Sequence, residues 1–343
     1  MNFPVANPLQ ASAAVTVVVP AYNHGRYVVE ALDSVRNQTF QDWVMIVIDD
    51  GSTDDTRAVL EDYQKRVADP RIQVYSQANA GSHATLNRGL DMADTPYLAI
   101  LNSDDSCAPD RLEKLMKIAA RTGDGSFVVT GVSLIDENSL PVPADHWWQG
   151  MYRGLLARWA SCQQMKIENP AVQTLLWGNF AISTSNFFMS RSVWARVGRF
   201  RNLRYVPDWD YLLRVAAELP AAFVYTPDEE LLNYRLHGQN TILGGSLRNH
   251  AEAVKVLRTF QRGWVATGHQ LAPHAIDRLH YLTRFIRHEH ARQMLERQKT
   301  GWVEQVDAVH GELDRVRLQA SQWQTDSQSW HEQAKQLALQ SEQ

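Results

Sequence analysis

Hydrophobic positions in the first third of the chain fall into short unbroken runs separated by amphipathic stretches. The runs are Val15-Thr16-Val17-Val18-Val19, Val44-Met45-Ile46-Val47-Ile48, Ile72 to Tyr75 and Leu98-Ala99-Ile100-Leu101. Without alternation and rich in β-branched residues, they predict strands buried on both faces. Helix-period segments lie between them. One spans Val28 to Asn37; a second, opened by Ser52 and Asp55 at capping-box spacing, runs to about Val67 with Val59 and Leu60 inward. A third follows the turn Asn79-Ala80-Gly81 and passes through Leu86 and Leu90, and a fourth starts at Pro109 and carries Leu112 and Leu115. Strand and helix alternating in this way predict an α/β fold with a mostly parallel sheet and helices on both faces.

Past residue 245 the pattern is helical throughout. Val254, Leu257 and Val265 mark one helix, and Pro273 opens another through Leu279, Leu282, Ile286 and Leu295, so 246–300 reads as a helical extension. From Trp302 to Leu337 the apolar spacing alternates threes and fours, broken at Ser327. Two readings stand for 301–343: a coiled coil pairing with a second copy, with a partner helix or with the preceding helices, or one amphipathic helix packed on the α/β domain. The pattern runs to the last residues without a stop signal, which suggests a front portion of a longer protein or a helix completed by a partner.

Composition narrows the classes. With 34 Lys and Arg against 38 Asp and Glu, the net charge of −4 and the lack of a basic stripe exclude nucleic acid as an expected partner. Cys107 and Cys162 have no metal-ligand spacing and make no disulfide framework, which points to a reducing cytoplasmic setting. Residues 1–14 carry no basic leader with an apolar core and read as a flexible arm. No apolar run is long enough to span a bilayer, so membrane contact is expected to be peripheral.

The chemistry sits where strands stop. Leu98–Leu101 runs into Asn102-Ser103-Asp104-Asp105, and Val44–Ile48 into Asp49-Asp50-Gly51-Ser52-Thr53-Asp54. Ligands of open α/β sheets bind outside the carboxyl ends of the strands, so both acid pairs are expected on the ligand edge. Neighbouring carboxylates repel unless a cation joins them, and a hard divalent ion would in turn grip phosphate. Plain turn formation is the alternative, but a turn needs one such residue and two strand ends carry a pair.

As a set, Val18-Val19-Pro20-Ala21-Tyr22-Asn23, Ser34-Val35-Arg36-Asn37-Gln38-Thr39, Asp49 to Asp54, Asn79-Ala80-Gly81, Asn87 with Gly89, and Leu101 to Asp105 are similar in order and spacing to the family 2 glycosyltransferases of GT-A fold. The resemblance covers about Val15 to Thr241. It implies a GT-A-type domain over 15–245, with a nucleotide-binding half at 15–110 and an acceptor half at 111–245. It also implies an inverting, metal-dependent transfer of a sugar from a nucleoside diphosphate sugar to a glycan or lipid-linked glycan, as in bacterial surface polysaccharide or lipopolysaccharide O-antigen synthesis at the cytoplasmic face of the membrane.

The resemblance also suggests roles. Mg²⁺ or Mn²⁺ would be held by Asp105 with Asp104 beside it, and His237 in Tyr234-Arg235-Leu236-His237-Gly238 would reach the metal or the diphosphate. Tyr22 would stack on the base and Asp49 accept from its edge, with Asn23, Asp50 and Asn87 on the same rim; Pro20, Ala21, Gly51, Asn79, Gly81, Asn102 and Ser103 complete the expected donor site. In Pro207-Asp208-Trp209-Asp210, Asp208 matches the position that takes the acceptor proton, Asp210 is its rival, and a helix N-cap is the other reading of either.

Asn102 stands where the family often has Asp, Leu86 where it often has Arg, and Pro207 where it usually has Glu. Arg26 or Arg88 would then have to meet the diphosphate. Trp147, Trp148, Trp159 and Trp177 suit sugar rings or an ordinary core, and Ser185-Asn186-Phe187-Phe188-Met189 is expected to shape the acceptor pocket. A nucleotide-sugar-binding scaffold without turnover is the rival function. A nucleotidyltransferase is a third, ill served by His24-Gly25-Arg26 in place of a basic Gly-rich loop.

Overall fold

The computed structural model describes residues 13–123, 125–238, 240, 247–270, 280–284, 292, 310–312, 314–315 and 318. The predicted alternation is realised as β1 (Val15–Ala21), α1 (Val28–Arg36), β2 (Trp43–Asp49), α2 (Thr56–Val67), β3 (Ile72–Ser76), α3 (Ser82–Met92) and β4 (Tyr97–Ile100). Then follow β5 (Ser106–Cys107), α4 (Arg111–Thr122), β6 (Phe127–Ile135), α5 (Trp147–Gln164) and α6 (Pro170–Leu175). A 3-10 turn (Thr184–Asn186), β7 (Phe188–Ser190), α7 (Arg191–Val197), α8 (Pro207–Glu218), β8 (Phe223–Arg235) and α9 (Leu247–Ala266) complete the described elements.

Among the described residues the strands form one sheet in the order β3-β2-β1-β4-β7-β6-β8-β5. β3, β2, β1 and β4 are parallel, and β2 is buried along its whole length, as its unbroken hydrophobic run requires. The second half mixes directions: β7 is antiparallel to both β4 and β6, β6 and β8 are parallel, and β5 is antiparallel to β8. This is the mixed α/β sheet of the GT-A type.

Two helix starts differ from the sequence pattern. α2 begins at Thr56 and the capping box does not form, because the Ser52 hydroxyl accepts the Asn23 N–H and Asp54 accepts the Thr56 N–H. α4 begins at Arg111, two residues past Pro109. Residues 1–283 form one compact unit that takes in α9, and 284–343 form a second. The described residues of the second unit, 284, 292, 310–312, 314–315 and 318, are helical; the expected 302–337 seam otherwise lies outside the described residues, as do most of the helix expected from Pro273 and the arm over 1–12. Among the described residues no helix is long and apolar enough to cross a membrane.

Candidate active site

Three segments converge on the acid motif. β4 delivers Asn102 to Asp105 just past its carboxyl end. The 3-10 turn enters β7 beside it, with Ile100 N–H donating to Phe187 O at 3.0 Å, and the β5–β8 pairing lays Arg235 against Asp105. Asp105 consequently points inward: Oδ1 accepts the Arg235 backbone N–H at 3.0 Å and Oδ2 the Ser185 hydroxyl at 2.5 Å. Burial pushes its carboxyl well above the usual range, and the Asp104 charge adds to the effect.

Asp104 is the member of the pair that faces other ligands. Its Oδ2 lies 3.0 Å from His237 Nε2 and 3.8 Å from His24 Nε2. One ligand atom from each of His24, Asp104 and His237 falls within 4.8 Å of the others, close enough for a single ion. Burial opposes ionisation of Asp104, but the hydrogen bond with His237 and the charges of His24 and His237 prevail and hold the carboxyl below its ordinary range. Thus the geometry reverses the expected emphasis: Asp104 joins the cluster and Asp105 braces it from behind.

His24 is the residue the sequence pattern did not single out. Its Nδ1 sits 2.9 Å from the Ser103 hydroxyl, which orients the ring so that Nε2 lies on the Asp104 side. The His24 and His237 rings meet edge to face at 5.6 Å, and Tyr27 packs against His237 at 5.0 Å. Two imidazoles and one carboxylate fit a divalent cation, with Mn²⁺ better matched than Mg²⁺, which prefers an all-oxygen shell. Buried Arg235 fastens the arrangement, donating from Nε to Asp104 O at 2.8 Å, pairing with Glu30 at 2.7 Å and lying over Tyr27.

Asn102 is committed elsewhere. Its side chain donates to Ser183 Oγ at 2.9 Å and accepts from Thr184 Oγ1 at 3.0 Å, while its N–H donates to Ser185 Oγ. Ser183 and Ser185, just ahead of β7, therefore serve the acid motif. Asn186 holds Thr130, donating to its carbonyl and accepting from its hydroxyl. Of the segment expected to shape the acceptor pocket, Ser185 thus bonds the acid motif and Asn186 bonds β6.

On the donor side, Tyr22 is 44% exposed at the end of β1, beside Pro20 and Ala21, and offers a free aromatic face. Buried Asp49 accepts from Ser52 N–H at 3.2 Å. Three residues expected on the same rim instead hold loops. Asn23 Oδ1 accepts from the Thr53 and Asp54 N–H groups, Asp50 accepts from Ala80 and Gly81 N–H at 2.9 Å, and Asn87 clasps Phe200 through both its N–H and its carbonyl. Gly51 has a φ of +70°, and a Cβ there would fall 2.7 Å from Asn79 N, so these two loops can meet only through glycine. Asn79 itself is exposed and Gly81 caps α3. Leu86 lies in the core, Arg88 bonds Gln77, and Arg26 is turned to Glu137 and Asn138.

The third part of the site is the start of α8. Asp208 is half-buried there, accepts from Asn179 Nδ2 at 2.6 Å, and is pushed up to about 7 by burial, against the backbone N–H groups of Trp209 and Asp208 itself. Asp210, two residues on, is buried and paired with Arg214 at 3.0 Å and Arg201 at 2.9 Å. Burial pushes the Tyr234 hydroxyl well above its usual range, and the charges of Asp105, Asp104 and Asp208 add to the effect. Of the four tryptophans, Trp148 is buried against Tyr234, Trp159 packs on Phe180 and Tyr225, Trp177 lies under Arg158, and Trp147 is 59% exposed.

A Rossmann-like mixed sheet with carboxylates and imidazoles at its carboxyl edge is the architecture of the GT-A fold. The Glycosyl transferase family 2 model matches residues 16–197, more than half of the 343-residue chain, and the chain belongs to that family. It is 37% identical over 129 residues to the putative teichuronic acid biosynthesis glycosyltransferase TuaG of Bacillus subtilis, covering 37% of this chain and half of that protein's length. An uncharacterized glycosyltransferase of Haemophilus influenzae is 28% identical over 240 residues, 69% of each chain. Chondroitin synthase of Escherichia coli is 27% identical over 193 residues, 56% of this chain and 28% of that one. Among solved structures, the mannosyltransferase PcManGT of Pyrobaculum calidifontis, in complex with GDP-Man and Mn²⁺, aligns with a TM-score of 0.53 at 17% identity, covering 83% of this chain and 73% of that one. TarS 1-349 of S. aureus in complex with UDP-GlcNAc gives 0.51 at 15% identity, covering 71% and 65%. At such identities these two likenesses concern the fold.

Proposed function

We propose that this chain is an inverting, divalent-cation-dependent glycosyltransferase that passes a sugar from a nucleoside diphosphate sugar to a glycan or lipid-linked glycan in the assembly of a bacterial surface polysaccharide. The observation that carries the reading is Asp208: a half-buried carboxylate in the first turn of α8, held by Asn179 at 2.6 Å and pushed up to about 7 by burial. Such a group holds a proton acceptor's role at neutral pH. Family relatives named for teichuronic acid and chondroitin synthesis support a polysaccharide product.

In this reading Asp208 takes the proton of the acceptor hydroxyl as its oxygen attacks the anomeric carbon. The bond to the diphosphate breaks on the opposite face, and the electron pair leaves with the phosphate. His24, Asp104 and His237 would hold the cation, which when bound supplies Lewis acidity to the departing diphosphate. Asp105 and Arg235 keep Asp104 in position, Asn179 orients Asp208, and Asp210 anchors α8 through its arginines rather than acting as base. Tyr22 and Asp49 receive the base of the donor. The protein would work in the cytoplasm in peripheral contact with the membrane that carries a lipid-linked acceptor.

Thermal stabilisation by UDP, GDP and dTDP sugars, each with and without Mn²⁺, identifies the donor. Asp208→Asn is expected to keep that stabilisation and lose transfer, and the product anomer is expected to be inverted by NMR. Full transfer by Asp208→Asn, or a retained anomer, overturns the reading.

A further inference from the structure

α8 and α9 both lie beyond residues 16–197 that the family model matches, and one α9 side chain reaches the segment that carries Asp208. The carboxylate of Glu252 accepts three consecutive backbone N–H groups: Arg204 on Oε1 at 3.0 Å, and Tyr205 and Val206 on Oε2 at 2.6 and 3.1 Å. Val206 is the residue that caps α8, and Pro207 follows with no N–H to offer. The donors at this helix start are therefore divided between two carboxylates. Asp208 accepts from the Asn179 side chain and its carboxyl is lowered by the N–H groups of the first turn, while Glu252 takes the three N–H groups that lead up to it.

Arg201, Asn202 and Leu203 border a cavity of about 710 Å³ that Val256, Thr259 and Phe260 line from the α9 side. A carboxylate that gathers three N–H groups is a charge-assisted clasp, each bond stronger than its neutral equivalent. Its negative charge also faces the α8 N-terminus, where the helix dipole favours it.

We infer that Glu252 is the positioning residue for Asp208: by clasping residues 204–206 it fixes the entry to α8 and so the point from which Asp208 meets the acceptor. The inference rests on Asp208 being the base of the proposed transfer. It gives α9 a part in the reaction that neither the nucleotide motifs nor the acid pair requires.

The test compares Glu252→Ala, Glu252→Gln and Asp208→Asn in the full chain. Stabilisation by UDP or GDP with Mn²⁺, whichever the wild type takes up, reports the donor site and is expected to be unchanged in all three. With the sugar nucleotide and acceptor that the wild type turns over, Glu252→Ala is expected to lower kcat by about 10- to 100-fold with the donor KM unchanged, since small misplacements of a reacting group cost that much. Glu252→Gln, which keeps one acceptor oxygen, is expected to retain an intermediate kcat. Removing the Glu252 charge, which itself raises the Asp208 carboxyl, moves the acid limb of the kcat profile to lower pH in both variants.

Full transfer by Asp208→Asn overturns the assignment of the base, and with it the role given to Glu252. Loss of transfer by Asp208→Asn together with a wild-type kcat and acid limb in Glu252→Gln and Glu252→Ala overturns the positioning role alone. Should Glu252→Ala not fold, Glu252→Gln decides: an unmoved acid limb and an unchanged kcat count against the inference.

Discussion

Asn179 Nδ2 donates to Asp208 Oδ2 at 2.6 Å, tying the loop between α6 and the 3-10 turn to the first turn of α8. The same Asn179 accepts from Ala181 N–H at 3.0 Å, so its amide is oriented before it meets the carboxylate. A hydrogen bond to the ionised form favours that form, and Asn179 pulls Asp208 down against the burial that raises it. Asn179→Ala is expected to raise the Asp208 carboxyl further and shift the acid limb of the pH–rate profile to higher pH. Measured kcat against pH checks it; a limb that stays fixed removes Asn179 from the mechanism.

The raised Asp208 carboxyl has a consequence for stability that needs no substrate. Its folded value of about 7 stands above the unfolded 3.8, so the folded state holds a proton that the unfolded state has released between those values. The stability it confers is complete below about pH 4 and is lost as pH rises through 7. Asp208→Asn cannot make that loss. Relative to wild type it is expected to gain stability progressively between pH 4 and 7, by on the order of 2–4 kcal/mol at pH 8. Urea unfolding across that range is the measurement, and a difference that does not grow with pH contradicts the buried-acid description.

Cation affinity separates the members of the histidine cluster. His237→Ala removes an imidazole 3.0 Å from Asp104 and is expected to weaken Mn²⁺ by about 100-fold or more. Ser103→Ala removes only the hydroxyl that holds His24 Nδ1 and is expected to weaken it by about 10-fold. Electron paramagnetic resonance of free Mn²⁺ reads both without turnover. Equal affinity in wild type and His237→Ala would move the cation away from this cluster.

Much of the fold and part of the site were legible because their signals are local. An unbroken run such as Trp43–Asp49 states its own burial, and acid pairs at two strand ends mark the ligand edge. What was not legible depends on tertiary pairing. Asp104 and Asp105 are equivalent in sequence, and only the arrival of Ser185 and Arg235 from distant segments turns one inward. His24 sits among twelve histidines and gains meaning from His237, on the far side of the chain. Asn23, Asp50 and Asn87 match donor-site motifs, but their polar atoms are consumed by backbone groups of neighbouring loops, which spacing along the chain does not encode. Glu252 lies in a stretch whose sequence shows only helix periodicity.

The two acids at the start of α8 part company in a single comparison. Asp210 is buried, and its partner Arg214, itself buried, also donates to the Val197 and Arg199 carbonyls. Removing one member of a buried pair leaves the other charge uncompensated, which typically costs 3–5 kcal/mol; the carbonyls that Arg214 keeps should hold the cost of Asp210→Ala to about 3 kcal/mol. Among the described residues Asp208 has no such ion pair and meets the neutral amide of Asn179. Asp210→Ala is therefore expected to unfold at clearly lower denaturant while its folded fraction still transfers sugar, whereas Asp208→Asn is expected to be stable and inactive. Denaturant midpoints and turnover measured on the same two preparations give the answer. A stable, inactive Asp210→Ala would hand the proton to Asp210 and leave Asp208 as a helix cap.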